Sequence, residues 1–578
     1  MLEIYARYLR PYAKKVALII LLSLLATLCT LMLPMLSKQI IDEGVLSGEN
    51  TAFGGTVAKM AFIAVLSVLF PIVNGKLIAE TVMNFSRNLR KDFFSHVLSL
   101  SQRDLDRFGT ASMISRQGND IMQMQTGLVQ TLTFMLSAPL MCLGGMAIAL
   151  ITSPRLSWIV LVVVAACVVY ILFVVTKVRK IFLDYQARLD DVNRLARESL
   201  NGMRVIRAFN KEDTEQQRFS KASSEVKDMA LHMSTHLLSF QPVMSFIMSL
   251  ANILVLWVGA RCMTAHLATY GDVQAFIQYL SIIVLGMVML SVGLIVLPRV
   301  QVASKRVLDV LNVTSSVVDP ERPEELTGPI RTLQFKGVSF KYAEGGSNAL
   351  SDISFSVSAG QTLAIIGSTG AGKTTLINLI PRYYDATEGT ILVNGCDIRD
   401  LKQTRLRERI GLVPQKAFLF GDSILDNLRR GKTDATEDEA MHALDVAQAR
   451  DFVEEKEFGI YSYVLPGGTN VSGGQRQRLC IARAIIRKPD IYLFDDSFSA
   501  LDFKTDAALR RALKDETRDA IVVIVAQRIS TIKDADQILV LENGKLVGQG
   551  THSELMAGNE VYREIARSQL SSEEMEAC

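Results

Sequence analysis

Residues 367–375 read Gly-Ser-Thr-Gly-Ala-Gly-Lys-Thr-Thr, with a short apolar run, LAII, before them and an amphipathic stretch, TLINLI, after them. In a strand–loop–helix context, Gly367, Ser368, Thr369, Gly370, Ala371, Gly372, Lys373, Thr374 and Thr375 form a cradle for phosphate. The glycines let backbone N–H groups close around phosphate oxygens. Lys373 can reach the β and γ phosphates, Thr374 can offer its hydroxyl to Mg2+, and the helix N-terminus adds its dipole. ATP and Mg2+ are therefore the expected ligands.

About 120 residues later the chain reads DIYLFDDSFSALD. An apolar strand ends in Asp495, which then lies beside the phosphate loop and can hold Mg2+ through water. Asp496 follows as a second acid. Between the two motifs, NVSGGQRQRL opens another helix with Ser472, Gly473, Gly474 and Gln475, followed by Arg476, Arg478 and Arg483. This second helix start is also suited to an anion. One globule rarely needs two phosphate cradles, unless the second serves another molecule.

The elements around these motifs divide the chain in two. It has 578 residues, 49% of them hydrophobic, and its mean hydropathy of +0.25 is high for a soluble protein. Apolar runs near 16–36, 57–79, 127–151, 156–176, 237–263 and 273–297 are each long enough to cross a bilayer as helix, which takes about 20 residues. The first run is too long for a cleaved leader and is expected to remain a span. Residues 1–311 are thus expected to form a transmembrane domain, 312–331 a Pro- and Glu-rich linker, 332–570 an α/β nucleotide-binding domain, and 571–578 a tail. Lys and Arg set the orientation. Four lie in ARYLRPYAKK, six in residues 80–126 and twelve in 177–236, against Lys38, Arg155 and none in 264–271 on the other side. Both termini and the nucleotide-binding domain are accordingly expected in the cytoplasm, with the chain multi-pass in a plasma membrane of bacterial inner- or cell-membrane type.

Smaller features refine this reading. Ile4, Tyr5, Tyr8 and Leu9 share a face, which suits an interfacial helix. The long inward loops read as spans extended into the cytosol, kinked at 107–112 and 200–209, although periodicity alone fits a plain cytosolic hairpin equally well. Asn74, Lys76, Gln241, Asn252 and Gln278 are polar residues within the spans; Lys76 lies close enough to the cytosolic end to snorkel, and the amides are expected more to bond neighbouring helices than to line a path. Met244, Met248, Met287 and Met289 read as lipid-facing filler or an adaptable wall for apolar ligands. A net charge of +3 suggests no nucleic-acid partner, and seven scattered cysteines without a CxxC pair suggest neither zinc nor a disulfide framework.

The whole chain resembles an ABC exporter half-transporter: a membrane all-α domain of six helices followed by an α/β P-loop nucleotide-binding domain. GSTGAGKTT resembles the family's phosphate loop, VSGGQ its signature, YLFDD its magnesium strand, and SALD (Ser499, Ala500, Leu501, Asp502) its D-loop. VPQ resembles the Q-loop, making Gln415 a further metal-site residue beside Thr374 and Asp495, and Tyr342 matches the aromatic that stacks on adenine. The resemblance implies an ATP hydrolase coupled to transport. It also implies two nucleotide-binding domains facing head to tail, each ATP lying between one chain's phosphate loop and the other chain's signature. The kinks would then be coupling helices. The expected partners are a second half-transporter, the bilayer, and hydrophobic or amphiphilic substrates such as drugs or lipids.

Two positions depart from the family pattern. Asp496 stands where a water-polarising glutamate is usual, and Gln527 where a switch histidine is usual. None of the six histidines can replace the latter from its place in the sequence. Aspartate is one methylene shorter, which withdraws its carboxylate by roughly 1.5 Å. Glutamine carries no titratable proton. Loss of positioned acid–base chemistry typically costs about 10²–10⁴ in rate. The residues that bind ATP are intact, so the expected site holds Mg–ATP and cleaves it slowly. The intact signature would complete the site of a heterodimer partner. Two other readings are a homodimeric exporter of lipid or peptide with two slow sites, and an ATP-clamped membrane regulator that transports nothing. A third departure is Leu465 or Pro466 in place of an acidic residue shortly before the signature, so no contact is assigned there.

Overall fold

The structure, a computed structural model, describes residues 2–45, 50–342 and 346–569. The expected tail at 571–578 lies outside the described residues. The chain forms two compact units, Met1–Leu98 with Thr110–Val313, and Ser99–Gly109 with Thr314–Cys578.

Among the described residues, six helical passages are long and apolar enough to cross a membrane: Glu3–Asp42, Gly54–Ser99, Thr110–Thr152, Ser157–Asn201, Glu212–Thr264 and Tyr270–Leu311. Each contains one of the six apolar runs, so the transmembrane all-α fold class is observed. Small residues let the helices approach closely. A Cβ on Gly127 would stand 2.2 Å from Val300, and one on Gly259 would stand 2.7 Å from Val273. Two of the polar residues bond across helices: Asn74 Nδ2 donates to Ser23 Oγ at 2.9 Å, and Gln278 Nε2 donates to Ser37 Oγ at 3.5 Å, whereas Asn252 Oδ1 is buried without a hydrogen-bond partner among the described residues. Met244 and Met287 are buried in the core formed with Val255, Phe276 and Tyr279. They therefore pack between helices and do not face lipid, because the close approach of the spans leaves irregular gaps that an unbranched thioether fills. The N-terminal helix Leu2–Leu9 turns its apolar face inward: Ile4, Tyr5 and Tyr8 are buried, and the Tyr5 hydroxyl donates to the Met124 carbonyl at 2.9 Å.

The second unit begins its sheets after the linker. A four-stranded sheet contains β1 (Thr332–Phe340), β2 (Leu350–Ser358), β4 (Glu388–Val393) and β5 (Cys396–Asp397), in the order β2-β1-β4-β5. A six-stranded sheet contains β3 (Thr362–Gly367), β6 (Ile410–Val413), β9 (Ile491–Asp495), β10 (Ile521–Val525), β11 (Gln537–Glu542) and β12 (Lys545–Gly550), in the order β12-β11-β3-β10-β9-β6. A short pair, β7 (Asp422–Ser423) and β8 (Tyr463–Val464), completes the set. Four of the five neighbouring pairs in the large sheet are parallel, and the β11–β12 pair is antiparallel. The period of two explains the layering. Ala364 and Ile366 of β3 join a core with Tyr492, Phe494 and the Gly473–Ile485 helix. Leu363 and Ile365 join the opposite core with Leu493, Val523 and the four-stranded sheet. Parallel pairing brings the carboxyl ends of β3, β6, β9 and β10 to one edge, where a doubly covered α/β sheet binds ligands.

Candidate nucleotide site

The phosphate loop starts where β3 ends, and its glycines are imposed by space. A Cβ on Gly367 would stand 2.2 Å from the Leu541 carbonyl oxygen. Gly372 has φ +98, and a Cβ there would stand 2.8 Å from the Ala349 oxygen. The helix that follows is Lys373–Leu379. Lys373 Nζ donates to the carbonyls of Gly367 at 2.7 Å and Ser368 at 2.8 Å, which curls the loop on itself. Burial lowers the Lys373 pKa from its ordinary value, and the charges of Asp496 and Asp495 oppose that shift. Ser368, Thr369 and Gly370 are exposed on the loop, and Ala371 is buried beneath it. Thr375 is buried, and its hydroxyl is 2.9 Å from that of Tyr342, a residue that is 45% exposed.

Three strand ends meet opposite the loop. Asp495 closes β9 and is 4% exposed; its Oδ1 accepts from Thr374 Oγ1 at 3.2 Å. Gln415 stands two residues past β6, and Gln527 two residues past β10. Both point to Asp496: Gln527 Nε2 donates to Asp496 Oδ2 at 2.8 Å, and Gln415 Nε2 to the same oxygen at 3.4 Å. Asp496 has φ +48, in the left-handed region that a residue other than glycine rarely adopts. Its backbone is held by the bond from Asp496 N to the Val525 oxygen at 2.9 Å. Burial raises the pKa of Asp495, and the Asp496 charge adds to the rise, whereas Thr374 and Lys373 work against it. Burial likewise raises Asp496, opposed by bonds from Gln415, Ser499 and Gln527 and by the Lys373 charge.

The residues present suit Mg–ATP on local grounds: glycines where a Cβ would collide, and a hydroxyl bonded to a buried carboxylate. Thr374, Asp495 and Gln415 would hold the ion, which supplies charge neutralisation between phosphate oxygens.

The signature residues lie elsewhere in the unit. Ser472 caps the Gly473–Ile485 helix: its Oγ accepts from Gln475 N at 3.2 Å, and Gln475 Oε1 accepts from Ser472 N at 3.0 Å. Among the described residues, Ser472, Gly473, Gly474 and Gln475 form no hydrogen bond with the phosphate loop of the same chain. Gly474 packs near the D-loop, where a Cβ would lie 3.3 Å from the Ala500 oxygen. In the D-loop itself, Ser499 Oγ donates to the Asp496 carbonyl at 2.9 Å, Leu501 is buried, and Asp502 caps the next helix through Thr505 N at 2.9 Å. Before the signature, Leu465 is 46% exposed and its N–H donates to Asn470 Oδ1 at 2.9 Å. An amide therefore closes this loop where the resemblance led one to look for an acid. Sequence inspection passed over Tyr384, whose hydroxyl donates to Asp106 at 2.9 Å. Its signal was the aromatic pair in PRYYD, just after the phosphate-loop helix.

Comparison with known proteins agrees with this architecture. Residues 16–288 match the ABC transporter transmembrane region, and residues 350–499 match the ABC transporter domain. An uncharacterized ABC transporter ATP-binding protein of Mycobacterium tuberculosis is 37% identical over 576 residues, 99% of each chain. A Bacillus subtilis chain provisionally named as a multidrug export ATP-binding/permease protein is 30% identical over 97% of this chain and 98% of its own. An ATP-dependent lipid A-core flippase of Hahella chejuensis is 29% identical over 98% of this chain and 97% of its own. The structure of a bacterial Atm1-family ABC exporter with ATP bound superposes with a TM-score of 0.78 at 27% identity, covering 98% of this chain and 99% of the other. With its membrane-spanning helices and its nucleotide-binding unit on one polypeptide, this chain belongs to the ABC transporter family and has the type I exporter fold.

Proposed function

We propose that the chain is one half of an ATP-driven exporter for hydrophobic or amphiphilic compounds and works with a second, non-identical half-transporter. Its own nucleotide site grips Mg–ATP through Lys373, Thr374, Gln415 and Asp495 and cleaves it slowly. Its signature, Ser472–Gln475, completes the partner's faster site. Both termini and the nucleotide-binding domain (332–570) lie in the cytoplasm, and the transmembrane domain (1–311) spans the cell membrane.

The hydrogen bond from Gln527 Nε2 to Asp496 Oδ2, 2.8 Å long, carries this reading. A general base needs a free lone pair aimed at water, within about 3 Å of the proton it takes. Here the amide already engages the carboxylate oxygen, and it has no proton to exchange. The relatives named for multidrug export and lipid A-core flipping support the substrate class.

The deciding experiment purifies the chain with the product of a neighbouring gene of the same family, or with a partner captured from its own cells, and measures turnover with each catalytic acid removed. Retained turnover in Asp496→Ala and lost turnover when the partner's equivalent acid is removed is the expected pattern. Brisk hydrolysis by this chain assembled only with itself would overturn the reading.

A further inference from the structure

We propose that Gln569 is a positioning residue for the nucleotide site: it ties down the loop that carries Gln527 and so lets the site tell ATP from ADP. This rests on the proposed reading of the site as one that holds Mg–ATP; the tie itself follows from bonds within the second unit.

Gln527 stands just past β10, in a loop that leads into the short helical turn Ile529–Ile532. The first N–H groups of such a turn have no partner within it, and a short side chain with an acceptor oxygen usually caps them. Arg528 occupies the capping position, and a guanidinium only donates. It turns to the D-loop, where its Nη2 donates to the Ser499 carbonyl at 3.4 Å. The acceptor for Ile529 comes from 40 positions further on. Gln569 Oε1 accepts from Ile529 N at 2.9 Å, and Gln569 Nε2 donates to the Gln527 carbonyl at 2.7 Å. A primary amide has a donor and an acceptor side by side, so it grips the backbone on both sides of Arg528 at once. Without it, the Gln527 carbonyl and the Ile529 N–H lose these partners, and the loop is free to turn the Gln527 amide away from Asp496.

Gln569 is itself exposed, so it needs a rigid mount. The helix Glu560–Arg567 supplies one. Its Tyr562 and Ala566 are fully buried in the same core as Ile529 and Ile532. These two positions are four apart, so one face of the helix lies on that core. The chain then continues into a turn in which Gln569 N donates to the Ala566 carbonyl at 3.0 Å. At the other end, Asn559 pins the helix to β12. Its Oδ1 accepts from Tyr562 N at 2.8 Å, and its Nδ2 donates to the Val547 carbonyl at 2.8 Å. A Cβ on Gly548 would stand 2.4 Å from that Nδ2, so the glycine makes room for the anchor. The Tyr562 hydroxyl lies 2.7 Å from His552 Nδ1, which joins the preceding helix, His552–Gly558.

The loop held in this way faces the terminal phosphate. Gln527 Nε2 carries two N–H groups. One donates to Asp496 Oδ2 at 2.8 Å, which leaves the other for a phosphate oxygen. Lys373, which reaches the β and γ phosphates, feels the charge of both Asp496 and Asp495. A contact from Gln527 to the γ-phosphate is made with ATP and missing with ADP, so fixing the loop favours ATP.

Binding of Mg–AMP-PNP and of Mg–ADP to the full-length protein tests this, together with hydrogen–deuterium exchange. Gln569→Met keeps the length of an exposed side chain and removes both bonds. Gln569→Asn keeps the amide but falls one methylene short, and it covers the case in which Met perturbs the fold. Each should lower Mg–AMP-PNP affinity at least about fivefold, the effect of one hydrogen bond, and leave Mg–ADP affinity within about twofold. Gln527→Ala should do the same. The double variant, Gln569→Met with Gln527→Ala, should bind no more weakly than Gln527→Ala, because the first residue acts through the second. Exchange at the Ile529 amide should rise at least about tenfold in Gln569→Met, with exchange in β10 unchanged. Equal losses for both nucleotides, additive losses in the double variant, or unchanged exchange at Ile529 would overturn the proposal. Unchanged Mg–AMP-PNP affinity in Gln527→Ala would overturn the γ-phosphate contact, with exchange at Ile529 still deciding the tie. Failure of the unaltered protein to bind either nucleotide would overturn the Mg–ATP reading of the site.

Discussion

Gln527 and Asp496, which the resemblance sets at the family's switch-histidine and water-polarising positions, are bonded to each other at 2.8 Å. They come from the ends of adjacent parallel strands, β10 and β9, whose register pairs Val525 with Asp495. The two side chains therefore form a pair: a short carboxylate held by an amide that cannot titrate.

The pair sets the first expectation. In the proposed heteromeric complex, Asp496→Ala should leave ATP turnover within about twofold, since removing an effective general base would cost about 10²–10⁴. The converse double change, Asp496→Glu with Gln527→His, should raise turnover at this site at least about tenfold. Steady-state phosphate release with the partner's acid already removed isolates the effect.

Gly473 separates signature function from folding. A Cβ there has nothing within 4 Å, and the position begins a helix in which alanine is favourable. Gly473→Ala should leave the melting temperature unchanged or slightly raised, yet reduce turnover of the complex at least about tenfold by obstructing the partner's nucleotide. Ser472→Ala should also reduce turnover, with an added loss of about 1 kcal/mol from the missing helix cap.

Gly372 is the opposite case. Its φ of +98 and the 2.8 Å approach to the Ala349 oxygen leave no room for a side chain. Gly372→Ala should destabilise the nucleotide-binding unit by about 1–3 kcal/mol and abolish ATP binding. Isothermal titration and thermal melting together check both parts.

Burial raises the Asp495 pKa above that of the unfolded chain. The native state then binds more protons in the window between the ordinary and the raised value, so this group's contribution to stability falls as pH rises through that window. Asp495→Asn should therefore raise the melting temperature of the nucleotide-free protein at pH 7. Mg–ATP affinity requires the ionised form, so in the unaltered protein it should fall off on acidification at a pH above the usual aspartate value of about 3.9. Melting and binding measured across pH 4–8 test both signs.

Within the membrane unit, Asn74→Leu should cost about 0.6–2 kcal/mol, because Ser23 loses its partner across the helix contact. Substrate efflux should persist, as the amide is spent on packing. A loss of efflux with unaltered stability would instead place Asn74 on the transport path.

The phosphate loop, the magnesium strand and the signature were legible because each depends on local geometry. Glycines must stand where backbone closes on phosphate, and an acid must end an apolar strand. The spans were legible because a bilayer demands about 20 apolar residues in a row. The inward placement of Met244 and Met287 was not legible, since an all-round apolar helix does not reveal which side meets its neighbours.

The sequence by itself determined the order of the parts, six apolar helices and then a phosphate-binding α/β unit, and it placed Asp496 directly after the acid that ends the apolar strand. Only the tertiary structure decided that Gln527 bonds Asp496, that Gln415 joins them, and that a helix lent from between two spans is tied to Tyr384. Residues 31 and 278 positions apart come together only when strands pair and helices dock, and local spacing carries no record of that.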